Sequence, residues 1–114
     1  MKKGDEIVII HNDNITLEKV DEKMSRKILV AEGSLMLVEV HFEEGGIGEV
    51  NNHSDHEQIC YIKEGKLEVE VAGEKEILKA GDSFYAAKNV AHGVKALEES
   101  IILDIFNPIL QNFL

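Results

Sequence analysis

The stretch Leu67-Glu-Val-Glu-Val-Ala-Gly-Glu-Lys-Glu-Ile-Leu78 indicates most directly how this chain folds. Residues 67–71 alternate apolar and charged side chains, which is the period of a β-strand with one buried face. Ala72-Gly73 is a two-residue turn signal, and Glu74–Leu78 follows as a second strand. The stretch therefore predicts an antiparallel β-hairpin.

Short apolar runs rich in Val, Ile and Leu, separated by glycine turns, continue on both sides of this hairpin. The further predicted strands are Glu6–Ile10, Arg26–Ala31, Ser34–Phe42, Ile59–Lys63, Ser83–Tyr85, His92–Leu97 and Ile101–Phe106. Glu43–Gly48, with three glycines in four positions, is predicted to be a loop. Helix signals are weak and confined to Ile15–Arg26 and Pro108–Leu114. Many evenly spaced short strands predict an all-β sandwich or closed barrel.

The composition narrows the classes of function. The chain has 114 residues, 22 acidic against 12 basic side chains, a formal net charge of −10, and one cysteine. We expect one domain, no intramolecular disulfide, and no nucleic-acid partner, because the charge repels phosphate. No stretch approaches the ~20 apolar residues of a membrane span. The apolar run Ile7–Ile10 is too short for a secretion signal, so a cytoplasmic location is expected.

The densest polar cluster, Asn51–Gln58, lies between a glycine-rich loop and an apolar strand. Its histidine, carboxylate and amide groups suit a divalent cation such as Zn, Ni, Mn or Fe. A solvated loop without a ligand is the alternative. Cys60 lies two residues after Gln58 on the same strand face, so we expect it inside the barrel as a small core residue.

Asp104 interrupts the apolar strand Ile101–Phe106, where alternation places it on one face with Ile102 and Phe106. A buried carboxylate must be paired, ligated or protonated, and desolvation raises its pKa toward the range of general acid–base catalysis. The alternatives are a hydrogen-bonded structural aspartate and one that faces solvent at a sheet edge. Arg26 is the only arginine, and both a surface ion pair and recognition of an anionic group stay open for it.

The polar cluster Asn51–Gln58 belongs to the first of two motifs with regular spacing, and the second motif lies further along the chain. Gly45, Asn51, His53, Gln58 and Gly65 follow the spacing G-x5-H-x-H-x4-E-x6-G. A second motif, G-x5-P-x-G-x2-H, is represented by Gly81, Ala87, Asn89 and His92. In both motifs and in its all-β pattern the sequence resembles the cupin superfamily, over about residues 26–107. The resemblance implies one small cupin (jelly-roll) β-barrel domain spanning residues 1–114, with the cupin motifs within residues 45–96.

The same resemblance implies a metal site. Its ligands would be Asn51, His53, Gln58 and His92, with Asn51 and Gln58 standing where cupins usually have histidine and glutamate. His56, two residues before Gln58, is a substitute for Asn51 because imidazole is the better ligand for these metals.

A closer resemblance is to the small cupins of the pectin-degradation (KdgF) type. The similar stretches are Arg26-Lys-Ile-Leu-Val, Leu35-Met-Leu-Val-Glu-Val, His56-Glu-Gln-Ile-Cys-Tyr, Lys79-Ala-Gly-Asp-Ser-Phe-Tyr and the segment from Asp104 to Leu114. Members of that family convert 4,5-unsaturated monouronates to linear keto forms at a site with three histidines and a glutamine. The resemblance implies a catalytic Asp104, an anionic sugar substrate and a homodimer. Leu110 stands where the family carries a catalytic arginine.

Three functions follow as expectations. The first is a metal-dependent enzyme on unsaturated uronates, with Asp104 moving the proton. The second is a catalytically lapsed module that binds a sugar acid, since Asn51 and Leu110 depart from the family pattern. The third is another metal-dependent cupin isomerase or oxygenase, because a fold does not decide among chemistries.

Overall fold

The computed structural model describes residues 7–114. The described residues contain ten β-strands: β1 (Glu18–Asp21), β2 (Met24–Glu32), β3 (Leu35–Phe42), β4 (Ile47–Asn51), β5 (Glu57–Glu64), β6 (Lys66–Val71), β7 (Glu74–Lys79), β8 (Ser83–Ala86), β9 (His92–Ala96) and β10 (Ser100–Asn107). Two 3₁₀ turns, Asn12–Asn14 and Gln111–Phe113, lie outside the strands. The all-β class predicted from the sequence is confirmed. No helix within residues 7–114 has the length and apolar character needed to cross a membrane.

The strands form two antiparallel sheets that face each other as a small jelly-roll barrel. The larger sheet has the order β1-β2-β3-β10-β5-β8, and the smaller has the order β4-β9-β6-β7. Long-range pairing of β10 with both β3 and β5 places the last strand at the centre of the larger sheet. Residues distant in sequence therefore meet between the sheets.

The inner faces agree with the predicted alternation. Met36, Val38, Val40 and Phe42 of β3 are buried between the sheets, and they pack with Leu67 and other apolar residues of the smaller sheet. Burial of these side chains removes apolar surface from water, which is the main stabilising contribution to such a core.

The predicted hairpin is also confirmed. β6 and β7 pair from Lys66–Lys79 to Val71–Glu74, so that two residues remain for the turn. Ala72 and Gly73 both have positive φ values, of 52° and 85°. Positive φ at both central residues is the geometry of a type I′ turn, whose twist matches that of the paired strands.

The prediction of a strand over Glu6–Ile10 is wrong for the part that the structure describes, residues 7–10. Ile7–Ile10 form no strand, and Glu6 lies outside the described residues. Ile7 and Ile9 are largely exposed. An apolar run becomes a strand only when a neighbouring strand accepts its backbone hydrogen bonds, and none within residues 7–114 does so.

The segment Ile15–Arg26 is not helical either. It contains β1 and the first residues of β2, which form a hairpin in which Glu18 pairs with Arg26. Its irregular apolar spacing gave no helical face to bury, and pairing with the edge of the larger sheet overrode the weak helix signal. At the other terminus, Pro108–Leu114 holds only the 3₁₀ turn Gln111–Phe113.

The predicted loop Glu43–Gly48 is shorter than expected, because β4 already begins at Ile47. Gly48 lies within this strand opposite Val94 of β9. A Cβ atom at Gly48 would come within 3.1 Å of Val94 Cγ2, so glycine permits the two strands to approach closely. This glycine is therefore part of a strand rather than a strand breaker.

Segment 7–17 contacts the larger sheet at a polar cluster around Glu39, and Asn12 makes the contacts. Asn12 Nδ2 donates a 3.1 Å hydrogen bond to Glu39 Oε1, and Lys27 Nζ donates to Asn12 Oδ1 at 2.7 Å. His41 Nε2 lies 2.7 Å from Glu39 Oε2, and Lys63 Nζ lies 3.7 Å from Oε1. Burial alone would raise the pKa of Glu39, but the hydrogen bond with His41 and the charge of Lys63 outweigh it and lower that pKa.

Candidate functional site

A cavity of about 230 Å³ opens between the two sheets. Its walls combine apolar side chains of the barrel interior with a small set of polar groups, as is typical of small-molecule sites. The polar and charged residues that line it are Arg26, Glu49, Asn51, His53, Gln58, His92 and Asp104. Four of the five proposed metal ligands and the proposed catalytic residue therefore line one cavity.

Two loops bring His53 and His92 together. His53 follows β4, whereas His92 begins β9, and their ring centroids lie 5.7 Å apart. The backbone N–H of Asn89 donates a 2.8 Å hydrogen bond to the carbonyl oxygen of His53. Asn89 has φ 65°, a left-handed conformation that asparagine tolerates better than most residues. The second-motif turn is thereby joined directly to the first-motif loop.

The tautomer of His92 follows from its backbone partner. Its Nδ1 lies 3.0 Å from the carbonyl oxygen of Val90. A carbonyl only accepts hydrogen bonds, so Nδ1 carries a proton, and in the neutral ring the lone pair is on Nε2. Metal-binding histidines in proteins are commonly oriented in this way, by a hydrogen bond from the ring nitrogen that does not bind the metal. In His92 that nitrogen is Nδ1.

His56 lies beside the cavity without lining it. Its ring centroid is 5.7 Å from that of His53, at nearly a right angle. Its Nδ1 is 2.9 Å from the carbonyl oxygen of Pro108, so this ring also donates to backbone. The contact connects the first-motif loop with the C-terminal segment. Asn51, which pairs with His92 across β4 and β9, does line the cavity.

Gln58, Cys60 and Asp104 form a buried polar group on the floor of the cavity. Strands β5 and β10 pair Asp104 with Cys60, and Gln58 Nε2 donates a 2.9 Å hydrogen bond to Asp104 Oδ1. The predicted inward direction of Cys60 is confirmed, and Asp104, for which the sequence left a solvent-facing position open, is buried as well. Burial and the nearby charge of Asp104 raise the pKa of the Cys60 thiol, which favours its neutral form.

The electrostatics of the cavity favour a neutral His53 imidazole and a protonatable Asp104 carboxyl group. Burial, together with the neighbouring His92 and His56, lowers the pKa of His53. Burial raises the pKa of Asp104 to about 6, although hydrogen bonds from Gln58 and Cys60 and the charge of His92 act in the opposite direction. Desolvation disfavours the charged form in both cases, which explains the opposite signs.

The donor chemistry fits a divalent cation. His92 offers Nε2, His53 is a second imidazole, and Gln58 Oε1 is available as a carbonyl ligand because Nε2 of the same amide is the atom bonded to Asp104. Within residues 7–114, no three histidine, cysteine, aspartate or glutamate side chains are grouped as a metal-binding set. The proposed donors of this cavity are two imidazoles together with the amide oxygens of Gln58 and Asn51, so they are not a set made only of histidine, cysteine, aspartate and glutamate.

Sequence reasoning missed one wall of the cavity. Phe113, next to the last residue, lines it and packs against Phe106 at a ring-centroid distance of 5.8 Å. No local pattern signals this, because the contact depends on how the C-terminal segment returns along the barrel. Leu110 is buried in the core and does not line the cavity.

Comparison with known proteins places this architecture in a family. The cupin domain family matches residues 38–106. The pectin degradation protein KdgF of Dickeya dadantii (strain 3937) is 43% identical over 104 residues, which cover 90% of this chain and 94% of that protein.

Two solved structures are similar over nearly the whole described fold. The structure of KdgF from Halomonas sp. has a TM-score of 0.92 and 35% identity, covering 96% of this chain and 100% of that one. An RmlC-like cupin from Shewanella frigidimarina NCIMB 400 has a TM-score of 0.88 and 32% identity, covering 91% of this chain and 93% of that one. The chain belongs to the cupin family and, within it, to the small cupins of the KdgF type.

Proposed function

We propose that this protein is a metal-dependent enzyme that converts 4,5-unsaturated monouronates to their linear keto forms. The observation that carries the proposal is the convergence of His53, His92 and the Gln58 amide on the cavity that also holds Asp104. The similarity to KdgF proteins, which are named for pectin degradation, supports this substrate class.

The reaction is an isomerisation that needs no oxidant. The C1–O5 bond of the ring breaks, the C1 hydroxyl loses its proton to become an aldehyde, and O5 becomes an enol hydroxyl on C5. A proton then adds to C4 while the enol hydroxyl loses its proton, which leaves a ketone at C5. Each stage requires a group that can donate and accept a proton.

We propose that Asp104 is the group that donates and accepts this proton. Its raised pKa, about 6, lies closer to neutrality than that of an ordinary aspartate, so both protonation states are accessible. The hydrogen bond from Gln58 to Oδ1 holds the carboxyl group in one orientation at the cavity wall.

His53, His92, Gln58 and Asn51 would hold the divalent cation, with His56 as the substitute for Asn51. A bound cation supplies Lewis-acid stabilisation of negative charge on the sugar oxygens. The apolar walls of Phe84 and Phe106 exclude water from the neighbouring space, which strengthens the electrostatic effect of the polar groups.

The test combines metal analysis with turnover. We expect stoichiometric Zn, Ni, Mn or Fe in protein purified without chelator, and loss of the conjugated ultraviolet absorption of unsaturated galacturonate or mannuronate on incubation. Chelation should stop the reaction, and addition of the metal should restore it. Full turnover by the metal-free protein would contradict metal dependence, and absence of turnover by the metal-loaded protein would contradict the reaction.

A second candidate is a sugar-acid-binding module without catalysis. Two observations favour it: an amide, Asn51, lies where the family has an imidazole, and Leu110 is buried in the core where the family has a catalytic arginine. Binding of saturated and unsaturated uronates with equal affinity, without loss of the ultraviolet band, would support this alternative.

We further propose that the protein acts as a cytoplasmic homodimer. The outer face of β10, β5 and β8, which form the half of the larger sheet that ends at the β8 edge, exposes Ile59, Tyr61, Tyr85 and Ile105. An apolar group of this kind on the face of a sheet is typical of a protein interface. Light scattering should give twice the monomer mass, and Ile59→Lys should give the monomer mass. A monomeric wild type would contradict the proposal.

A further inference from the structure

We propose that Arg26 binds the carboxylate of the substrate and is the residue that selects sugar acids over neutral sugars. The inference rests on the proposed function for the identity of the sugar. Anion binding itself follows from where Arg26 lies, from what contacts it, and from the absence of an ion pair to it within residues 7–114.

Arg26 is the only arginine of a chain whose formal net charge is −10, and it lines the cavity. It lies in β2, where it pairs with Val40 of β3 and with Glu18 of β1. Its side chain is half-buried rather than extended into solvent. A permanent cation in a partly apolar cavity is costly unless an anion accompanies it.

No carboxylate of the described chain forms an ion pair with Arg26, although Glu49 and Asp104 line the same cavity. The ion pairs found within residues 7–114 are His41–Glu39, Lys63–Glu39 and Lys75–Glu70. The side-chain hydrogen bonds of the same residues do not include the Arg26 guanidinium. Glu18, its neighbour across the strand pair, is not among the ion-pair partners found within residues 7–114. The surface ion pair that the sequence left open is therefore not formed in the described chain.

An aromatic contact holds the guanidinium instead. Arg26 Cζ lies 4.1 Å from the centroid of the Phe113 ring, and Phe113 is in turn packed against Phe106. A cation over an aromatic face is attracted by the ring, while the N–H groups in the guanidinium plane remain available as donors. A planar fork of donors matches a carboxylate through two parallel hydrogen bonds.

Arg26→Gln removes the charge and the fork, and Lys19→Gln is the matched control. Lys19 lies on the neighbouring strand β1, is exposed, and does not line the cavity. For the metal-loaded enzyme and unsaturated galacturonate, Arg26→Gln should raise KM about tenfold or more while kcat changes far less, since a charged hydrogen-bond pair contributes to binding. Arg26→Lys should recover part of the loss, and Lys19→Gln should behave as wild type.

Phe113→Leu tests the aromatic support separately. It keeps the apolar wall but removes the ring, so we expect KM to rise about threefold, the size of a partly exposed cation–π contact. Equal KM values for Phe113→Leu and the wild type would show that the ring does not hold the guanidinium.

Measuring ligand binding without turnover tests the role of Arg26 independently of the proposed reaction. Calorimetry or NMR titration with galacturonate and with galactose, which lacks the carboxylate, requires no turnover. We expect the wild type to bind galacturonate more tightly, and Arg26→Gln to lose that preference. If the wild type shows no turnover but keeps the preference, the reaction is wrong and the anion site stands. If turnover is normal and Arg26→Gln matches Lys19→Gln in both KM and preference, the Arg26 inference is overturned and the reaction stands.

Discussion

Gln58 Nε2 donates a 2.9 Å hydrogen bond to Asp104 Oδ1, which joins an amide of β5 to a carboxyl group of β10 at the floor of the cavity. The two residues are 46 positions apart in sequence. This bond uses the nitrogen end of the Gln58 amide, so its oxygen remains available to a cation. A single contact thus orients both the proposed ligand and the proposed proton carrier.

Asp104→Asn should abolish turnover without removing the metal. The amide keeps the shape of the carboxyl group but cannot carry a proton, so we expect kcat to fall at least about 100-fold. The measurement is steady-state turnover together with metal content by elemental analysis. Glu49→Gln is the matched control, because Glu49 is another acid that lines the cavity. Normal turnover by Asp104→Asn would exclude Asp104 as the proton carrier.

Asn51→His should bind the metal more tightly than the wild type. Asn51 lines the cavity and pairs with His92, so an imidazole at this position would face the same space. Imidazole is a better ligand than an amide oxygen for zinc and its neighbours. Competition with a chromophoric chelator measures the affinity, and Asn52→His on the adjacent exposed residue is the control. Equal affinities of the two variants would show that position 51 is not a ligand position.

His56→Asn should leave the metal bound but loosen the C-terminal segment. His56 does not line the cavity, and its Nδ1 is engaged with the carbonyl oxygen of Pro108. Amide hydrogen exchange should therefore increase at residues 109–114 while metal content stays stoichiometric. His53→Asn provides the comparison, since there we expect loss of metal. Loss of metal from His56→Asn would instead identify His56 as the ligand that replaces Asn51.

Glu39→Gln should reduce stability at neutral pH and have less effect in acid. The folded state lowers the pKa of Glu39 below its ordinary 4.5, because His41, Lys63 and Asn12 outweigh the effect of burial. The folded state therefore binds this proton less readily than the unfolded state, so the contribution is present above the unfolded pKa and is lost as pH falls through the folded pKa.

Urea unfolding of the wild type and Glu39→Gln, at neutral pH and well below the ordinary glutamate pKa, measures this contribution. The difference in free energy of unfolding should shrink in acid. Glu68→Gln is the control, because Glu68 on β6 of the smaller sheet forms no ion pair within residues 7–114. A difference that grows in acid would contradict the lowered pKa.

Gly65→Ala should destabilise the fold by about 2 kcal/mol or more, on the usual scale of backbone strain and steric overlap. Gly65 has φ +92°, and a Cβ there would lie 2.5 Å from the carbonyl oxygen of Glu99 and 2.7 Å from Cα of Ser100. Gly73→Ala is the control, with φ +85° and open space around its Cβ position. Thermal unfolding should show a smaller loss for Gly73→Ala, and equal losses would show that the contact with Glu99–Ser100 is relaxed without cost.

Much of this fold follows from local pattern. The alternation in residues 67–71 and the turn at Ala72-Gly73 are confirmed, and Ile102, Asp104 and Phe106 are buried on one face of β10 as the alternation predicts. The spacing of Gly45, His53, Gln58, Gly65 and His92 identified the cupin family, and the two histidines and the glutamine of this set line one cavity. These features were accessible because a strand has a period of two and a motif has fixed spacing, and both are properties of the chain itself.

Other features depended on contacts between distant segments. Whether Glu18–Asp21 became a helix or a strand was decided by pairing with β2, and Ile7–Ile10 stayed outside the sheets because no described strand pairs with it. The place of Phe113 beneath Arg26 was decided in the same way. The sequence by itself determined the class of fold and pointed to the polar residues of the proposed site. Only tertiary structure decided what pairs at the sheet edges and what covers the cavity, because those hydrogen bonds and ring contacts exist only after the barrel has closed.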